Sequence, residues 1–458
     1  MERFLERARS FYNGRYYPIL VLLLVFLGHS TEMDLAFGSV MMISLIFGLL
    51  ISHDVKFTMM PLMATMFIVP IGDFTPSDPG FDRYYQSRAT LIFLVALALS
   101  VMASIVFFVV RNRKIANRIP VKGVFLSILI FCGVNCLNGL FSPNYTFANF
   151  TFSMLLVLSM IVVYLIFAGY LRFEKAVLDY FIYCLVGVGL LICAELIFAY
   201  FTTVQFVGGS IVKESVVLGW GVWTNIGNML VFLMPASFYF AASHKRGWLG
   251  YLSGLLHFFC IVLSQSRAAL LVGALSLLLC LGYLCLKGRN RKINRIFTLS
   301  LIACGAIGCV VLYDTLLALV SNFLEKGFDD NGRMALWQSA IDSFLRAPVL
   351  GVGYYDVCSY EGWATFGTPM MCHNTILQIL GAVGVLGMLA YGYHRFETLK
   401  LFFRKFNTVK FFLGVCILGF LLFGMLDVVF FIGYTNIFYT MMLLFMQYTE
   451  YPEKQMYL

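Results

Sequence analysis

Charge is what this chain has least of. Asp, Glu, Lys and Arg make up 12% of its 458 residues, while 61% are apolar and the mean hydropathy is +0.87. About a quarter of an ordinary soluble domain is charged, so a soluble fold is excluded: this much apolar surface has nowhere to hide. The period-two alternation of a membrane β-barrel is missing too. The twelve cysteines form no CxxC pair, which speaks against a thiolate metal framework. Arg3, Arg7, Arg9 and Arg15 resemble the start of a secretory signal, but no small-residue cleavage site follows, so the first apolar run is read as a retained helix.

What is present is a series of apolar stretches of roughly 17–25 residues separated by short polar breaks, the pattern of transmembrane helices. Helices satisfy their own backbone groups in lipid. The expected fold is therefore all-α: a polytopic integral membrane protein forming one membrane domain over 1–458. Crossings are expected near 17–30, 35–52, 57–72, 89–110, 123–141, 151–171, 177–200, 225–243, 249–265, 268–286, 296–320, 376–393, 411–430 and 433–449, about 12–14 in all.

The net charge of +9 does not mark a nucleic-acid partner, because of where it sits. With a cytoplasmic N-terminus and alternating spans, 25 of the 32 Lys and Arg residues fall in cytoplasmic segments, as the positive-inside rule requires. The seven left outside are Arg83, Arg88, Lys213, Arg267, Lys326, Arg333 and Arg346. The longest polar segment, about 321–375, also lies outside, so chemistry is expected on the extracytoplasmic face. Ten cysteines fall within spans, where Cys acts as a small apolar residue. For Cys358 and Cys372, both in the outer loop, a disulfide and two separate thiols fit equally.

Within that loop, Asp329-Asp330-Asn331-Gly332 reads as a turn and helix N-cap. Met334, Trp337, Ile341, Phe344 and Leu345 follow helical spacing, which predicts an amphipathic helix from Arg333 to about Arg346 at the membrane surface. Pro348 should end it, and Gly351 and Gly353 would allow a tight backbone path near a ligand. Tyr354, Tyr355, Tyr360, Trp363 and Phe366 suit lipid headgroups first and sugar faces second.

His373-Asn374 follows, then nine residues, then Gly384-x-x-Gly387. An imidazole whose ordinary pKa is near 6.5 can accept a proton at neutral pH. Gly381, Gly384 and Gly387, at helical spacing, would let helices pack closely below it. Arg267, in Leu263-Ser-Gln-Ser-Arg-Ala-Ala269, sits at the outer end of an apolar hairpin. Its planar donor fork suits phosphate oxygens; an interfacial anchor is the plain alternative, as it is for Arg333. Lys213 and Glu214 lie in the outer loop 201–224. Glu195 and Asp427 fall in apolar spans, where a functional acid and a paired structural acid both fit.

Ser266-Arg267-Ala-Ala, Gly332-Arg333 with Trp337, Ala347-Pro348-Val-Leu-Gly-Val-Gly353 and His373-Asn374-x9-Gly384-x-x-Gly387, in this order and on one side of the membrane, resemble the O-antigen ligase and polymerase family of bacterial membrane glycosyltransferases. The resemblance covers about 260–390. It implies a GT-C-like helical fold in the bacterial cytoplasmic (inner) membrane. The implied donor is a glycan on undecaprenyl diphosphate. The implied acceptor is a sugar hydroxyl of lipid A-core or of another lipid-linked repeat unit. By position, Arg267 and Arg333 would bind the diphosphate, and His373 would act as base toward the acceptor or hold it. Asn374, Trp337 and Lys213 are further substrate-binding candidates. No cofactor or metal is implied, and two arginines can stabilise a diphosphate leaving group on their own. A base facing the leaving group favours inversion. Two other readings share much of this pattern: a flippase for lipid-linked oligosaccharide, and a noncatalytic polysaccharide-assembly protein.

Overall fold

The computed structural model describes residues 2–72, 84, 87–143, 145, 147–208, 210–244, 246–287, 289, 291–311, 332–353, 371–429 and 433–450. Among these the chain is almost wholly helical, with two two-residue hairpins, Phe206–Val207 with Ser210–Ile211 and Val217–Leu218 with Gly221–Val222.

The apolar stretches become helices where they are expected. Eight are long and apolar enough to cross a membrane: Asp34–Ile51, Arg88–Ile115, Val124–Phe141, Ser153–Tyr170, Lys175–Thr202, Trp223–Ser243, Arg267–Lys287 and Thr375–Phe403. Glu2–Asn13 and Tyr16–Ser30, bent by 67° against each other, supply a ninth if taken as one broken span. The full-length spans among the described residues are thus fewer than the 12–14 expected. Lys56–Ile68, Gly247–Leu263 and Thr408–Phe423 are apolar but shorter, and Lys56–Ile68 breaks into 3₁₀ turns around a six-residue α segment.

Trp223–Ser243 is the hub. It packs on Lys175–Thr202, Gly247–Leu263, Arg267–Lys287 and Thr408–Phe423, and most of it is buried, whereas most of Arg88–Ile115 is exposed on the protein surface. A helix apolar all round is buried in a protein core or in a membrane; the first helix is an inner one, and the second is an outer one that packs on Asp34–Ile51. Arg267–Lys287 and Thr408–Phe423 run antiparallel. Ser276 lies opposite Gly419, and near the other end Tyr283 stacks on Phe411 and bonds Thr408. That antiparallel order puts Arg267 at the same end of the bundle as the turn after Phe423.

Arg333–Arg346 forms the expected amphipathic helix with those bounds. The proposed cap Asp329–Asn331 lies outside the described residues, and the observed N-cap is Gly332. The helix packs along Thr375–Phe403. Leu336 and Ala340 share a second small core with Val352, Cys372, Ile379, Ala382, Val383 and Val428.

Candidate active site

Two segments build the histidine's surroundings. Asn374 caps the Thr375–Phe403 helix, its Oδ1 accepting from the N–H groups of Ile376 at 3.0 Å and Leu377 at 3.1 Å. Its Nδ2 donates to Met425 O at 3.1 Å. Thr375 N–H donates to Gly424 O at 2.8 Å and Thr375 Oγ1 to Asp427 O at 3.2 Å. The helix start is thus laced to the turn that follows Thr408–Phe423. Just before the cap, His373 has φ +49°, a left-handed conformation few non-glycine residues adopt. That turn aims the imidazole at Asp427, and Nδ1 lies 3.0 Å from Asp427 Oδ1.

An ionised carboxylate only accepts, so Nδ1 carries the proton in this pair and the neutral ring keeps its lone pair on Nε2. Among the described residues no hydrogen-bond partner is found for Nε2, and the side chain is 34% exposed. Asp427 Oδ1 is itself held by Val428 N–H at 2.7 Å. Asp427 was legible as an acid in an apolar stretch; its pairing with His373 was not.

Below the histidine the long helix is broken. Gly384 has φ +66° and ψ −160°. In an intact helix the N–H groups of residues 385 and 386 would bond the carbonyls of 381 and 382. Here residues 348–353 slot between them. Val352 N–H donates to Gly381 O at 3.1 Å and Gly353 N–H to Ala382 O at 3.0 Å; Val385 N–H donates to Pro348 O at 2.8 Å and Leu386 N–H to Val349 O at 3.2 Å. Asn138 Nδ2 donates to both Ala382 O, at 2.8 Å, and Leu350 O. This corrects two expectations. Gly384 does not serve close packing of neighbouring helices but breaks its own. The tight path at Gly351 approaches protein backbone rather than a ligand: a Cβ there would lie 2.3 Å from Ala382 O.

The other candidates gather at the same end of the bundle. Arg267 is exposed and opens its helix after a turn in which Gln265 has φ +59°. That turn rests on the start of Trp223–Ser243, where a Cβ on Gly227 would lie 2.6 Å from Ala269 Cβ. Lys213 Nζ lies 5.0 Å from the ring centroid of Trp223, a cation–π distance. Arg333 starts the helix whose next turn places Leu336 in one core with Cys372, the neighbour of His373. Trp337 packs against that core, and its Nε1 is buried with no partner among the described residues.

Asn374 is nearly buried and occupied by its capping bonds. Glu195 Oε2 accepts from Trp220 Nε1 at 2.8 Å, which pairs that acid with the loop carrying Lys213. Cys372 Sγ lies 2.8 Å from Gln378 Oε1; Cys358, the aromatic residues of 354–366, Arg83 and Lys326 lie outside the described residues.

Comparison with known proteins follows the same residues. A family model described as O-antigen ligase matches residues 231–392, a stretch containing Arg267, Arg333, Trp337, His373, Asn374 and the break at Gly384. The exopolysaccharide production protein ExoQ of Rhizobium meliloti (strain 1021) is 26% identical over 202 residues, 41% of this chain and 44% of the relative. The match therefore spans less than half of that relative's length. The part of this helical membrane protein that carries the candidate site is therefore similar to the O-antigen ligase family and to an exopolysaccharide production protein.

Proposed function

We propose that the protein assembles polysaccharide at the outer face of the bacterial cytoplasmic membrane, moving a glycan from undecaprenyl diphosphate to a sugar hydroxyl of lipid A-core or of another repeat unit. The observation that carries this reading is the His373–Asp427 pair at 3.0 Å, which presents Nε2 as a base at a half-exposed helix entrance. The acceptor hydroxyl loses its proton to Nε2 as its oxygen bonds the anomeric carbon, and the bond from that carbon to the diphosphate oxygen breaks. Arg267 and Arg333 hold the diphosphate and take up its growing charge, with Lys213 beside them. Asn374 fixes the turn that aims His373, and Trp337 lines the acceptor side. Base and leaving group on opposite faces of the sugar give inversion.

Arg267, Arg333 and Lys213 are the cations that suit an anionic donor at this end. The broken helix would also suit a flippase, whose sites use interrupted spans. Here the gap is filled by residues 348–353, which favours a fixed scaffold over a transport path. The test is reconstitution in liposomes with undecaprenyl-diphosphate glycan and candidate acceptors, following bond formation and transbilayer movement separately, with NMR of the new linkage. A new glycosidic bond of inverted configuration is expected. Movement without bond formation would replace this reading with the flippase, and retention would overturn the direct displacement.

A further inference from the structure

A cavity of about 220 Å³ lies at the far end of the molecule, lined by Lys122, Gly123, Glu397, Lys400, Arg404 and Gln447 among others. Lys400 and Arg404 stand at the C-terminal end of Thr375–Phe403; at 1.5 Å per residue this is roughly 40 Å from His373. The cavity is separate from the proposed active site, and on the topology the basic loops imply it opens to the cytoplasm.

Its lining favours an anion. Three cationic side chains face one carboxylate, Glu397, which lies 3.4 Å from Lys400 Nζ. The other nearby acid, Glu450, is already bonded by both Arg404 and Lys410. The cavity also meets the start of Val124–Phe141, whose N-cap Gly123 provides no side-chain cap. The first backbone N–H groups of a helix lack intrahelical acceptors and form its positive end. The loop before it is pinned by Asn117, which donates to Ala168 O at 3.0 Å and Leu171 O at 2.9 Å. The segment leading into it carries the exposed Arg113, Lys114 and Arg118. In volume the cavity equals about seven waters at ~30 Å³ each. That suits a phosphate group and is below the usual range for drug-sized ligands.

We propose that this cavity binds a phosphate-bearing anion, the chemistry shared by an acidic phospholipid headgroup and a soluble phosphate ester. The test uses the full chain, purified and delipidated. One arm titrates phosphatidylglycerol, with phosphatidylcholine as neutral reference, by native mass spectrometry. The other titrates inorganic phosphate by calorimetry. One saturable anion per chain is expected, weakened about tenfold by Lys122→Gln with Lys400→Gln. Glu397→Gln, which removes the competing carboxylate, should tighten it, and Lys292→Gln, on another helix, should leave it unchanged. Saturation by phosphatidylglycerol alone identifies a lipid source; saturation by phosphate identifies a soluble one. Absence of saturable binding in both arms, or binding indifferent to both Lys122→Gln/Lys400→Gln and Glu397→Gln, would overturn the proposal and leave a water-filled cavity.

Discussion

His373 Nδ1 and Asp427 Oδ1 lie 3.0 Å apart across 54 residues of sequence, joining the entrance of one long helix to the turn ending another. Asp427 holds the ring in the tautomer that presents Nε2. Asp427→Asn should therefore lower kcat by about tenfold or more, less than the loss of the base itself, with little change in KM for the donor. Asp427→Glu should recover part of the rate. Steady-state kinetics in proteoliposomes check both.

The break in the long helix separates glycines by role. Gly384→Ala places a side chain in a backbone region open essentially to glycine, at a strain of about 1–3 kcal/mol. Its Cβ would also lie 2.6 Å from Val349 O. Gly351→Ala meets backbone at 2.3 Å and should destabilise at least as much. Gly392, in the same helix, has nothing within 4 Å of its Cβ position. Gly392→Ala should stabilise by about 0.5–1 kcal/mol. Thermal unfolding in one detergent should order the variants Gly392→Ala, wild type, Gly384→Ala from highest to lowest Tm.

Asn138 ties the inserted segment to the broken helix through one amide. Asn138→Ala removes both bonds. Ala382 O keeps Gly353 N–H, whereas Leu350 O loses its amide donor. The expected cost is about 1–3 kcal/mol, with earlier proteolysis around 348–353. Limited proteolysis and Tm measure it.

Asp54, in the loop between Ser52 and Lys56, has its carboxyl pushed above the usual range. Burial is the main cause, only partly offset by the Lys56 N–H and by the charges of Lys56 and Arg172. The folded state thus holds this proton to higher pH than the unfolded chain does. Stability from this group is complete below the ordinary carboxylate pKa and falls as pH rises through the raised one. Asp54→Asn keeps an oxygen for Lys56 N–H and should raise Tm at neutral pH. The gain should shrink toward zero below about pH 4, as a Tm series against pH would record.

Much of this architecture was legible in the apolar periodicity. The Arg333–Arg346 helix falls at its predicted bounds because Met334, Trp337 and Ile341 repeat at helical spacing and Pro348 follows. Asn374 was legible as the residue beside His373, and its capping role follows from its chemistry. What no local pattern carries is a contact between distant segments. Asp427 reaches His373 only because two helix ends meet, and the Gly384 break exists only because residues 348–353 supply its missing partners. The expected crossing at 376–393 stops short of the observed end at Phe403. Polar residues there, which look like a loop in sequence, are buried by tertiary contacts: His394 bonds Ser127 at 2.8 Å and Tyr439 at 2.9 Å.

The most direct test of the central claim is a single-turnover measurement of glycan transfer from undecaprenyl diphosphate at saturating donor, comparing wild type with His373→Ala, Arg267→Ala and Arg333→Ala. His373→Ala should slow bond formation by about 10²–10⁴-fold while still binding donor. Each arginine variant should lose donor affinity as well as rate. A wild-type rate in His373→Ala would contradict the account.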